Sequence, residues 1–156
     1  MKKYFLYVML SVIIGSCTSN KNESNIAIQV SFSEKLSPQP IDGRMLLMLS
    51  NNNEAEPRFQ IGEGLNNQLI FGMNVDQLAA NQEIVFDETI FGFPIESLQN
   101  IKPGIYHIQA LLHVYETFNL ATGQTVKLPM DNGEGQQWNK SPGNLYSKPV
   151  KIEVGE

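Results

Sequence analysis

Apolar residues recur at every second position through much of this chain, the period that buries one face of a strand. Ile28, Val30 and Phe32 alternate with Gln29, Ser31 and Ser33. Pro38 and Pro40 end that segment, and Ile41-Asp42-Gly43 reads as a turn. Residues 45–49 are apolar throughout, MLLML, before Ser50 and three asparagines. A run that short between turn signals predicts a strand buried on both faces. Residues 58–61 form a short strand candidate, 68–75 a longer one interrupted at Gly72, and 76–80 one helical turn. Alternation returns at 83–86 and continues at 90–93, while 95–98 fits neither template. Lys102-Pro103-Gly104 turns directly into the clearest strand of the chain. There Tyr106, Ile108, Ala110, Leu112 and Val114 share one face, and His107, Gln109, Leu111 and His113 the other. The first face is expected to carry core residues, Tyr106 and Leu112 among them, and the two histidines to point outward. Val150, Ile152 and Val154 alternate with Lys151 and Glu153 in a last strand.

Short strands at this spacing, with turn chemistry between them, predict an all-β fold: an immunoglobulin-like antiparallel β-sandwich. A Pro-Gly turn leading into a Tyr-bearing strand makes Tyr106 a candidate for a tyrosine corner, its hydroxyl tied back to the backbone. Between residues 115 and 148 the β pattern fades, which predicts one long ordered loop before the last strand. Residues 125–128 could form one strand of a hairpin turned at Ala121-Thr122-Gly123. The segment holds Tyr115, Phe118, Leu128, Met130, Trp138, Leu145 and Tyr146. So many large side chains argue for packing across the sandwich rather than for disorder.

One apolar run stands outside this pattern. Lys2 and Lys3 precede an apolar stretch over residues 4–14, then Gly15, Ser16 and Cys17. The stretch is too short to span a bilayer and has the layout of a secretory signal. Ile14-Gly15-Ser16-Cys17 resembles a bacterial lipobox, which implies lipidation of Cys17 as the first mature residue. Cys17 is the sole cysteine, so it has no disulfide partner within the chain. Residues 1–16 are therefore expected to be a lipoprotein signal peptide. Residues 17–25, polar and without apolar period, are expected to be a flexible tether, and 26–156 a single domain. Thr18 stands where an inner-membrane retention aspartate would follow the lipidated cysteine, so the expected place is the bacterial cell envelope at the outer membrane.

The whole chain carries 11 Lys+Arg against 16 Asp+Glu, net −5. Lys2 and Lys3 leave with the signal, so nine basic residues face sixteen acidic ones, net −7. Nucleic-acid binding needs a basic face, and this chain offers none. An acidic surface also gains nothing from anionic head groups, so membrane attachment rests on the lipid anchor at Cys17.

Candidate chemistry is sparse. No G-x-S-x-G elbow is present. His107 and His113 lie six residues apart on one strand, about 20 Å at ~3.3 Å per residue, too far to serve one small group. No enzyme activity and no cofactor are expected. Asp131-Asn132-Gly133-Glu134 resembles a fragment of a calcium loop, making Asp131 and Glu134 a metal candidate, although the full EF-hand spacing is missing and Asp-Asn-Gly is among the commonest turn sequences. Trp138 with Gln136, Gln137, Asn139 and Asn144 offers an aromatic face and several amides, the chemistry of a sugar-binding surface. The alternative is that Trp138 anchors the loop on the core. His113, Tyr115 and Glu116 sit beside the loop in sequence and join the candidate ligand-binding set, with His113 and Glu116 a candidate polar pair at its base.

Longer segments resemble a known group. GRMLLMLS at 43–50, EPRFQI at 56–61, IFG at 70–72 and QALLHVYETF at 109–118 come first. VKLPMD at 126–131, GEGQQWN at 133–139 and SPGNLYS at 141–147 follow. Together they resemble the N-terminal region of secreted bacterial putative esterases, which carry an α/β-hydrolase-fold domain further on. The resemblance covers nearly the whole mature chain. It implies an accessory module that positions a hydrolase domain, or a carbohydrate or ester ligand, with the hydrolase's catalytic residues outside the present sequence. The alternative is a standalone carbohydrate- or ligand-binding lipoprotein.

Overall fold

The computed structural model describes residues 26–60 and 68–155. The expected signal peptide 1–16, the lipidation site Cys17 and the tether 17–25 lie outside the described residues, as does Ile61 of the strand expected at 58–61. Ten strands are described, in chain order β1 Ile28–Val30, β2 Ile41–Ser50, β3 Leu69–Leu78, β4 Ile84–Phe86, β5 Gly92–Phe93 and β6 Gly104–Val114. Then come β7 Glu116–Asn119, β8 Thr125–Leu128, β9 Leu145–Tyr146 and β10 Val150–Val154. The only helical elements among the described residues are two 3-10 turns, Pro57–Phe59 and Leu98–Asn100, and no helix there is long and apolar enough to cross a membrane.

The fold is all-β, and every strand pair is antiparallel. One six-stranded sheet runs β10-β6-β2-β3-β5, with β9 also paired to β6. β2 is its centre, in register with β3 from Gly43↔Val75 to Leu49↔Leu69 and with β6 from Gly43↔Val114 to Ser50↔His107. A strand with neighbours on both edges and cover on both faces needs apolar residues throughout, and the MLLML run supplies them. Met45, Leu47 and Leu49 enter the main core with Phe71 and Leu112, while Leu46 and Met48 pack with Leu111 on the opposite face. The expectation of a doubly buried strand is met.

An immunoglobulin-like sandwich sets two full sheets face to face. Here the layer over the main core face, among the described residues, is the two-stranded β1–β4 ribbon together with the segment around Leu98 and Ile101. Phe32 and Phe86 close that core from the ribbon side. The Tyr106 hydroxyl donates to the Lys102 carbonyl at 3.0 Å, the tie expected of it.

Four elements differ from expectation. The turn expected at Ile41-Asp42-Gly43 is instead the start of β2, with a β-bulge or irregularity between Ile41 and Gly43. Residues 58–61 do not begin a strand: Pro57 fixes φ at the start of a 3-10 turn, and its ring is buried. The helical turn expected at 76–80 does not form: residues 76–78 end β3, Gln77 at φ 49 gives its backbone N–H to Asp42 at 2.7 Å, and Ile41 pairs with Leu78. The segment 115–148 is not one loop. It contains the β7–β8 hairpin, with Gly123 at φ 82 in its turn, and β9, leaving residues 129–144 as the ordered loop.

The largest correction concerns the face of β6 that bears the histidines. Gln109 is 1% exposed and Leu111 fully buried, so this face is covered, by the 3-10 turn Pro57–Phe59 and the Trp138 loop. The alternation marked one face as more polar, but a glutamine whose hydrogen bonds are all met can be buried.

Candidate functional site

The covered face does not close completely. Between the sheet and the loop 129–144 lies a cleft of about 330 Å³. Its floor is Arg44 and Leu46 of β2, Ile70 of β3 and His113 of β6. Its far wall is Pro129, Met130, Glu134, Gln136 and Trp138. The volume lies at the lower end of the range for small-molecule sites.

Arg44 is a lone cation in an apolar strand, and a missing side chain makes its position. A Cβ on Gly72, the residue opposite Leu46, would meet Leu46 Cδ2 at 2.8 Å and the Arg44 guanidinium at 3.0 Å. Arg44 Nη1 donates to Asn74 Oδ1 at 2.8 Å and Nη2 to the Gly72 carbonyl at 3.1 Å. The guanidinium is thus fixed across β3 beside the cleft.

The loop wall is held by its own polar groups. Asp131 Oδ1 accepts the backbone N–H groups of Gly133 at 2.9 Å and Gly135 at 3.3 Å. Glu134 Oε2 accepts the Asn132 N–H at 2.8 Å, and its Oε1 accepts the Ser141 hydroxyl at 2.9 Å. Hydrogen bonds from its own backbone N–H, Ser141 and Asn132 hold the Glu134 carboxyl below its usual range. The Asp131-Asn132-Gly133-Glu134 stretch therefore works as a turn whose carboxylates serve backbone and hydroxyl donors. No cluster of three or more candidate metal ligands occurs among the described residues.

Trp138 is half-buried. Its ring packs on the Leu46, Met48 and Leu111 cluster and also lines the cleft, so it both anchors the loop and presents surface. Its carbonyl accepts from Asn144 Nδ2 at 2.6 Å, and Asn144 Oδ1 accepts the Val114 N–H at 3.1 Å. Asn139 and Arg58 exchange bonds, Asn139 Nδ2 to the Arg58 carbonyl at 3.0 Å and Arg58 Nη1 to the Asn139 carbonyl at 3.3 Å. The Arg58 guanidinium lies 3.7 Å from the Tyr146 ring centre and pairs with Glu56 at 2.8 Å. Gln109 completes the clamp: its Nε2 donates to Glu56 Oε2 and to the Ser147 carbonyl, both at 2.8 Å, and its Oε1 accepts the Arg58 N–H at 3.1 Å.

Of the expected ligand-binding residues, Trp138, Gln136 and His113 meet in the cleft. Gln137, Asn139, Tyr115 and Glu116 do not line it. Gln137 is exposed, and its carbonyl accepts the Lys140 N–H at 2.8 Å; Asn139 is committed to Arg58. Tyr115 meets the His113 ring edge-on at 5.5 Å and lines a separate hollow beneath the β7–β8 hairpin. Glu116 is exposed on β7, and no hydrogen bond or ion pair joins it to His113. Burial pushes the His113 imidazole below its ordinary pKa, with the Glu134 charge opposing. Among the described residues no hydroxyl is hydrogen-bonded to His113 or His107. His107 lies six residues away, and its Nδ1 is buried without a partner.

Sequence reasoning missed Arg44, Leu46, Ile70, Pro129 and Met130. Arg44 could have been found as the one charge in GRMLLML. The others required knowing where the loop crosses the sheet.

The β7–β8 hairpin has its own fastening. Lys127 Nζ contacts Asp42 Oδ2 at 2.9 Å and also pairs with Asp76. Asp42 Oδ1 accepts the Gln77 backbone N–H at 2.7 Å and its side-chain amide at 3.0 Å. The Gln77 N–H and the Lys127 ammonium hold the Asp42 carboxyl far below its usual range.

No family model matches this chain, no curated protein matches it, and no solved structure matches it.

Proposed function

We propose that this chain is a non-catalytic module of the bacterial cell envelope, lipid-anchored through Cys17, whose cleft at Trp138 holds a small ligand. The cleft carries the reading: a concave, mostly apolar space with a few fixed polar groups is the usual form of a small-ligand site. Its polar groups are already oriented, Arg44 by Asn74 and Gly72, Glu134 by Ser141 and Asn132, so little ordering is left for binding to oppose. The lack of any hydroxyl bonded to His113 among the described residues favours binding over nucleophilic catalysis.

A second reading makes the module an accessory of an esterase-like hydrolase, positioning that enzyme's ligand. One observation favours it. All nine residues lining the cleft fall within the segments that resemble the N-terminal regions of secreted putative esterases.

Thermal-shift measurements on the full chain and on Trp138→Ala, against a panel of glycans, peptidoglycan fragments and aryl and acyl compounds, test the ligand reading. At least one compound should stabilise the parent and lose its effect in the variant. A panel with no stabilising compound, or an effect that survives Trp138→Ala, contradicts it.

A further inference from the structure

We infer that the ligand of the Trp138 cleft is an uncharged aromatic compound bearing one or two hydrogen-bonding atoms, and not a sugar or an anion. The inference rests on the ligand-binding reading above and adds the chemical class.

The cleft's charges are already balanced. Among the described residues, Arg44 and Glu134 are the only charged side chains that line it. The Arg44 guanidinium is bonded to Asn74 and to the Gly72 carbonyl. Both Glu134 oxygens accept hydrogen bonds from their own loop. An anionic ligand would meet the Glu134 carboxylate, and a cationic one the Arg44 guanidinium. A neutral ligand meets neither penalty.

The walls then separate aromatic from sugar. Leu46 and Ile70 form the floor, and Pro129 and Met130 stand opposite with Trp138. A pyranose carries hydroxyls around its whole edge, and aliphatic walls on two sides would leave several without partners, each paying its desolvation cost. An aryl ring has no such edge. It can stack on Trp138 and take the Met130 sulfur against its rim, contacts that favour aromatic over aliphatic guests. The His113 ring has no hydrogen-bond partner among the described residues, and the Gln136 side chain is exposed at the rim. These two supply one or two polar contacts and no more.

The test uses the full chain in phosphatidylcholine vesicles with three probes: acetanilide (neutral aryl), benzoate (anionic aryl) and methyl β-D-glucopyranoside. Two signals are followed, the emission of Trp138, which is the sole tryptophan, and the carbon-13-labelled methyl resonance of Met130. Acetanilide should saturate both, with a downfield ring-current shift at Met130, as expected at a ring edge, while benzoate binds at least tenfold more weakly and the glucoside not at all. Met130→Gln, on an exposed loop position, should weaken acetanilide about tenfold without lowering the melting temperature. Saturation by the glucoside, or benzoate equal to or tighter than acetanilide, would overturn the inference while leaving a ligand site in place. Silence of both signals with all three probes also overturns it, and the broader panel with Trp138→Ala then decides separately whether any ligand is bound.

Discussion

Replacing Gln109 by leucine probes the least expected part of the structure, a buried amide on a strand face whose sequence reads as outward. Leucine has nearly the same volume, so packing changes little and the cost is that of three hydrogen bonds. Two are neutral, from the Arg58 N–H at 3.1 Å and to the Ser147 carbonyl at 2.8 Å, at about 1 kcal/mol each. The third goes to the Glu56 carboxylate at 2.8 Å. The Glu56 side chain is 40% exposed and keeps Arg58, so water replaces part of the loss and the low end for charged bonds applies, about 1.5 kcal/mol. Together Gln109→Leu should lower stability by about 3–4 kcal/mol. Urea unfolding measures this, with an unchanged m-value showing that only stability moved. A double-mutant cycle with Glu56→Ala should return a coupling well above zero. A cost under about 1 kcal/mol, or additivity with Glu56→Ala, would show that Gln109 is solvated and that the 3-10 turn and the Trp138 loop do not cover this face.

Leu112→Ala should cost about 2–5 kcal/mol by urea unfolding, more than His113→Ala, because Leu112 is 2% exposed in the main core whereas His113 is half-buried beside a cleft. The folded-state pKa of Asp42 lies below its ordinary value of 3.8, so its contribution is complete above about pH 4 and is lost as the pH falls toward the folded-state value. Asp42→Asn should therefore be less stable than the parent at neutral pH, with the difference vanishing in acid; a constant difference across an acid titration would contradict the latch between β2 and the hairpin. Cys17→Ser should abolish membrane association without unfolding the domain, and sedimentation of the variant with carbonate-washed membranes would refute the lipid anchor.

The main sheet was legible because its strands obey period two and because MLLML, short and bounded by turn signals, suits a strand covered on both sides. The Lys102-Pro103-Gly104 turn and the Tyr106 tie were legible for the same local reason, fixed turn chemistry at fixed spacing. What failed were segments decided by contacts far along the chain. Gln77 ends β3 at φ 49 rather than continuing into a helical turn, and Asp42, thirty-five positions earlier, captures its N–H. Gln109 is buried because Arg58 and Ser147 satisfy it from opposite sides in sequence. The candidate site divided in the same way. Trp138, Gln136 and His113 could be found as aromatic and polar groups in or beside a loop, but the aliphatic walls belong to β2, β3 and the first residues of the loop after the β7–β8 hairpin. No local pattern reveals that those elements face Trp138.

The state of Trp138 in the free protein tests the central claim most directly. A ring that rests on Leu46, Met48 and Leu111 with its remaining surface in an open cleft should emit between the buried and solvated limits. Acrylamide should quench it partially, and a bound ligand should protect it. Quenching like that of free tryptophan would mean that the loop does not pack on the sheet, and complete protection before any ligand is added would mean that no cleft is open at Trp138.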